Sequence, residues 1–207
     1  MNGIRMPWGY CGLAPRRELD YLPGLRPQAL RAAGVRWVCI REKMRVLPDG
    51  RVGQEFRWHR VPNPTPRARL VTRALRSDNP REDIELTDVS SVALVASPLD
   101  RCDSEPGQAT ISDDRPGSID VRTSAPSKQL LIVCESYHQE GWQAKLDGRP
   151  VPIIRVYGDF MGCLVEQGQH RVELRFRPRS RIIGTWLSAT ALVLMTLQFG
   201  LMRRLWG

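Results

Sequence analysis

Lysine is nearly missing from this chain: of 31 basic residues only Lys43, Lys128 and Lys145 are not arginine. The net charge of +9 therefore reflects an arginine habit spread over strands, turns and helices, and by itself it does not mark a nucleic-acid surface. The charge is also blocked. Residues 1–76 hold 16 basic and 5 acidic side chains, residues 77–169 hold 8 and 16, and residues 170–207 hold 7 and 1. Trp8, Trp37 and Trp58 lie in the first block and keep a nucleic-acid reading in view, but the dispersion of the arginines argues against it, and no nucleic-acid partner is expected. Paired cysteines are missing too. Cys11, Cys39, Cys102, Cys134 and Cys163 are odd in number and never spaced C-x-x-C, which argues against a zinc or redox site; no metal or cofactor is expected. Cys39, Cys134 and Cys163 sit in apolar runs, where a thiol acts as a small hydrophobe. The N-terminal "MNGIRMPWGYCGLAP" lacks the continuous apolar segment of a signal peptide.

Ionisable groups are lacking altogether in one stretch. Residues 182–202, "IIGTWLSATALVLMTLQFGLM", are 21 residues without a charge, enough at about 1.5 Å per residue to cross a hydrocarbon core of about 30 Å. Arg177, Arg179 and Arg181 precede the stretch and Arg203 and Arg204 follow it; Trp186 and Trp206 suit the two interfaces. A single membrane helix is expected, with the lipid bilayer as partner. With Met1 as the true start, the chain would be tail-anchored with its soluble part in the cytoplasm. As the end of a longer multi-span protein, its topology would be set by earlier helices.

The remainder reads as mainly β, in the α+β class: an antiparallel β-sandwich-like module with a small N-terminal α/β region. Leu25, Ala29, Leu30 and Ala33 share a helix face within residues 16–33, and Gly34 is a stop. Strands are expected at 35–40, 54–61, from 67 onward and at 90–96, then at 118–124, 129–135, 142–147, 151–156, 160–165 and 170–177. The domain plan is an irregular or helical segment at 1–33, an α+β region at 34–100, a turn-rich linker with one short strand at 101–117, the sandwich-like module at 118–181, the membrane helix at 182–202 and a basic tail at 203–207.

Chemistry-bearing residues concentrate in "SYHQEGWQAKLDG", residues 136–148. Glu135, His138, Glu140 and Asp147 are the acid–base candidates of an enzyme reading. Such work needs a pocket to hold substrate and shift pKa values, and nothing in the stretch itself indicates one. The alternation of Trp142, Ala144 and Leu146 with Gln143 and Lys145 places the latter two in solvent, and Asp147-Gly148 is a hairpin signal. A solvated connection between core strands is the plainer reading. His59 and His170 fit strand positions.

The run from Gln129 to Ser180, followed directly by an apolar helix, resembles the C-terminal end of YfhO-type bacterial membrane proteins. The matching residues are Tyr137, Gly141, Trp142, Asp147, Gly148, Phe160, Gly162, Gly168, His170, Phe176 and Pro178, with Glu140 where that family usually has proline. The resemblance extends more weakly over about residues 9–207. It implies a relative of the GT-C glycosyltransferases, which use polyprenyl-phosphate sugars to decorate cell-envelope polymers and carry their catalytic acids in an early extracytoplasmic loop absent from this sequence. It further implies an extracytoplasmic soluble part, on the bacterial cytoplasmic membrane, in a C-terminal piece associated with a multi-span core. The expectation is a non-catalytic accessory module, in which Tyr137, Trp142 and Tyr157 are candidates for contact with a lipid-linked sugar or glycan. The alternative is a stand-alone, tail-anchored enzyme built on Glu135, His138, Glu140 and Asp147.

Overall fold

The computed structural model describes residues 26–46, 52–97, 105–138 and 140–205. Trp8, Trp206, Cys11, Cys102, Leu25 and the rest of the helical pattern over 16–25, and Asp49-Gly50, where the sequence suggests a turn, lie outside them.

The described residues open with a short helix, α1 (Pro27–Ala32), started by a proline whose missing N–H costs nothing at that position. Gly34 ends it at φ 69°, as its N–H donates to Arg31 O and the Val35 N–H to Leu30 O. Two long strands follow, β1 (Trp37–Val46) and β2 (Val52–Arg60), which among the described residues pair only with each other as an antiparallel ribbon. Next come β3 (Ala68–Val71) and β4 (Arg73–Arg76), one turn of helix α2 (Pro80–Asp83) with a 3₁₀ turn at Ile84–Leu86, and β5 (Val92–Val95), which lies parallel to β4. The antiparallel remainder comprises β6 (Gln108–Arg115), β7 (Ser118–Ala125), β8 (Gln129–Ser136), β9 (Trp142–Leu146), β10 (Arg149–Val151), β11 (Ile154–Val156), β12 (Phe160–Val165) and β13 (Gly168–Phe176). A 27-residue helix, α3 (Arg179–Leu205), closes the described chain.

A five-stranded sheet, β10-β9-β13-β7-β6, faces a six-stranded one, β3-β8-β12-β11-β5-β4. Between them Leu70, Ile119, Val121, Leu131, Met161 and Leu174 form one apolar layer. The other face of the six-stranded sheet is covered by α1 and the 3₁₀ turn, through Ala29, Ala32, Ile84 and Val89 packed on Val71, Leu130 and Ile132. This explains two kinds of strand. Those covered on both faces read as unbroken apolar runs, such as "VALV" in β5, buried at all four positions. β13 has one wet face and alternates, with Val172 and Leu174 buried and Arg171 exposed.

Several elements of the fold differ from the sequence expectations. The 34–100 region and the 118–181 module share the six-stranded sheet, because β3 pairs with β8 and β5 with β11. The expected linker holds the eight-residue edge strand β6, and residues leading into it are fastened by buried Gln129, which accepts from the Gly107 N–H at 2.8 Å and donates to Glu105 O at 2.9 Å. Residues 151–156 split at Pro152 into β10 and β11, which belong to opposite sheets. Cys39 is exposed, on a ribbon that is hydrogen-bonded to neither sheet among the described residues, whereas Cys163 is buried.

α3 is the least partnered element. Residues 183–196 are exposed at all fourteen consecutive positions, including Ile183, Trp186, Leu187, Leu192, Val193, Leu194 and Met195. Among the described residues no helix is long and apolar enough to cross a membrane. Those fourteen extend about 21 Å, short of a hydrocarbon core of about 30 Å.

Candidate functional site

The 136–148 loop is held by the strand that leads into α3. Gly141 approaches the Phe176 ring so closely that a Cβ there would lie 2.2 Å from its Cε2, and the Arg177 N–H donates to Gly141 O at 2.6 Å. Trp142 packs on the same ring with centroids 5.2 Å apart, and His138 meets it edge-on at 5.7 Å. At the far end of β9, Asp147 and Gly148 both have positive φ, 50° and 82°, which gives the two-residue turn joining β9 to β10. The Asp147 carboxylate is committed within the fold: it accepts from the Arg171 N–H at 2.8 Å and from His170 Nδ1 at 2.7 Å. The Arg171 amide and His170 hold it below the usual carboxylate range. His170 Nε2 lies 3.2 Å from Gln167 O, which can only accept, so both ring nitrogens favour a proton and the imidazole is held above its ordinary value, chiefly by Asp147.

Glu135 and Ser136 end β8, and Glu135 forms an ion pair with Arg67 at 2.7 Å. Glu140 and His138 are exposed. The four acid–base candidates are thus dispersed, two of them taken up by structural ion pairs. Tyr157, expected at the surface, is a core residue at 0 % exposure. Its hydroxyl donates to Val92 O at 2.5 Å and its ring takes the Arg69 guanidinium at 5.7 Å, because the tight Tyr157-Gly158 turn points the side chain inward. Tyr137 and Trp142 do come together, half-buried beside a shallow cavity of about 450 Å³ that His138, Lys145 and Pro150 also line, so the loop has a pocket that its own residues did not reveal. The remaining motif residues are architectural. Gly162 admits Leu131 O, which a Cβ would meet at 2.5 Å; Phe160 is buried, and Gly168 takes φ 122°. Pro178 separates β13 from α3.

A larger cleft, of about 750 Å³, lies between the base of the β1–β2 ribbon and the mouth of the sandwich. Trp37 and Trp58, exposed by 55 % and 59 %, stand on its ribbon side. Cys39 opposes Trp58 and Trp37 opposes Arg60, so both indoles fall on one face of the ribbon at a diagonal of about 7–8 Å. Arg67 lies at the sandwich side, donating through Nη1 to Asp114 of β6 and through Nη2 to Glu135 of β8, one carboxylate from each sheet. Trp142 lines both cavities. The sequence marks the two indoles only as part of a basic segment. Their common face depends on ribbon register, which the alternation in "RWVC" and "FRWH" alone does not set.

Compared with known proteins, residues 85–188 match the family model described as bacterial membrane protein YfhO. No curated protein and no solved structure matches the chain.

Proposed function

Because the chain belongs to the YfhO family of bacterial membrane proteins, we propose that it is a non-catalytic, membrane-anchored module of such a protein, extracytoplasmic and accessory to the transfer of lipid-linked sugar to envelope polymers. The observation that carries this reading is α3. Fourteen successive exposed positions pass every side of a helix nearly four times, so apolar side chains face outward in all directions with no sheet or helix against them. Lipid satisfies such a surface, and the uncharged run 182–202, flanked by arginines, has the length of a span. The non-catalytic part of the reading draws on the candidate acids, of which Asp147 and Glu135 already serve His170 and Arg67.

The test is fractionation of cells expressing the full chain. Retention in carbonate-washed membranes and release by detergent are expected; a chain that stays in the supernatant without detergent overturns the proposal. Exposed Cys39 reports the side of the membrane. With Cys11 and Cys102 replaced by serine, a membrane-impermeant maleimide added to spheroplasts labels the chain and fails to label it once Cys39→Ser is added if the soluble part is extracytoplasmic, whereas labelling only after lysis reverses the orientation.

A further inference from the structure

We infer that the cleft between the ribbon and the sandwich is a saccharide-binding site, with Trp37 and Trp58 as its stacking platform and the Arg67–Glu135–Asp114 cluster as its hydroxyl-binding edge. The inference rests on the sugar-handling role proposed above and supplies it with a place.

Indoles exposed by more than half are costly to leave in water, and a pair on one ribbon face provides two flat apolar surfaces side by side. A pyranose ring is flat and apolar on its C–H faces and ringed by hydroxyls at its edge. Each hydroxyl both donates and accepts, so an edge-on partner must offer both functions within one diol's reach. Arg67 and Glu135 do so: a donor-only guanidinium and an acceptor-only carboxylate lie 2.7 Å apart, with side chains 24 % and 37 % exposed, and Asp114 adds a second acceptor at 25 %. The lining is also close to charge balance. Arg36, Arg67 and Arg115 face Asp114 and Glu135, and Arg115 is already paired with Asp113 at 2.7 Å, which suits a neutral ligand better than a polyanion. The cleft volume falls within the range of small-ligand sites, roughly 300–1,000 Å³.

Its position narrows the source. Gly117 and Trp142, on the cleft wall, pack against Phe176, and the Phe176 N–H donates to Gly117 O at 2.8 Å. α3 begins three residues later, at Arg179, so the wall lies within about 10 Å of the helix start. A saccharide headgroup displayed at a membrane surface is therefore within reach, as is the end of a free polymer.

The full chain, in a sugar-free polyoxyethylene detergent, is titrated with maltotetraose, cellotetraose and the tetramer of N-acetylglucosamine, and in nanodiscs with monoglucosyl diacylglycerol, by tryptophan fluorescence and calorimetry. Expected is saturable binding of at least one probe, weakened at least tenfold in Trp37→Ala and in Trp58→Ala and unchanged in Trp186→Phe. Both platform residues are exposed, so their truncation leaves the core intact. Binding of a soluble tetramer identifies a free polymer, and binding of the glycolipid alone identifies a headgroup. Binding to none of the four, or binding that survives both substitutions, overturns the inference. So does quenching of Trp37 and Trp58 by brominated lipid that no saccharide relieves, since the indoles then belong to the bilayer. A chain found in washed membranes that binds no probe loses the cleft and keeps the anchor; a chain free in solution loses the anchor whatever it binds.

Discussion

At the scale of the residue, the family-motif positions act mainly by removing or placing single groups. Gly141→Ala drives a methyl into the Phe176 ring, and Gly162→Ala drives one into the Leu131 carbonyl, which cannot swing aside. Both are expected to destabilise by about 1–3 kcal/mol, the second by more, measured by denaturant unfolding in detergent. Tyr157→Phe strands the Val92 carbonyl and removes a contact from Arg69, a residue only 6 % exposed whose guanidinium also donates to Ala32 O and Pro66 O; a loss of about 1–2 kcal/mol is expected. The His170–Asp147 pair gives stability a pH dependence of known sign. A histidine whose value rises on folding contributes fully below its unfolded value near 6.5, and that contribution fades as pH rises through the higher folded value. Asp147 is the converse: its contribution is present above its ordinary 3.8 and fades as pH falls through the depressed one. His170→Gln is therefore expected to lower stability more at pH 5.5 than at pH 9, and Asp147→Asn to return the His170 imidazole titration, followed by NMR, toward 6.5.

At the scale of the element, the contrast is between strands covered on both faces and a helix covered on none. α3 carries apolar side chains on every side, so its environment must be apolar on every side, and a charge at its middle is unwelcome all round. Leu192→Arg is expected to shift the chain from washed membranes toward the soluble or aggregated fraction, while the same change at exposed Leu86, on the 3₁₀ turn, leaves the distribution unchanged. The ribbon is the other element without a sheet to cover it. Its tryptophans Trp37 and Trp58 are exposed, in contrast to Trp142, which leans on Phe176.

At the scale of the whole molecule, the two sheets are closed by contributions from distant parts of the chain. β3 supplies Ala68 and Leu70 to the inter-sheet layer, and β5 supplies Leu94 and Val95 to the layer beneath α1. A fragment of residues 105–205 would expose the β8 edge and much of both layers, and is expected to lack a cooperative unfolding transition and near-ultraviolet circular dichroism, whereas residues 26–205 show both. Arg67→Met unties the two sheets only at the cleft. Since the apolar layer between them remains, a single transition persists, with its stability reduced by about 1–3 kcal/mol for the charge-assisted bonds to Asp114 and Glu135.

Local physics made much of this legible in advance. The period-two pattern of β13, the Asp147-Gly148 turn, the Gly34 stop and the uncharged run at 182–202 each depend on neighbours in sequence, and backbone sterics or side-chain alternation suffices to read them. Long-range pairing decided the rest. Which strands share a sheet, that Tyr157 points inward to Val92 and that Glu135 meets Arg67 all follow from partners about 60 to 70 positions away, whose proximity is a property of the closed sandwich. The cleft is the clearest case: Trp37, Trp58, Arg67, Asp114 and Glu135 come to line one cavity only once two sheets and a ribbon bring their side chains to one mouth.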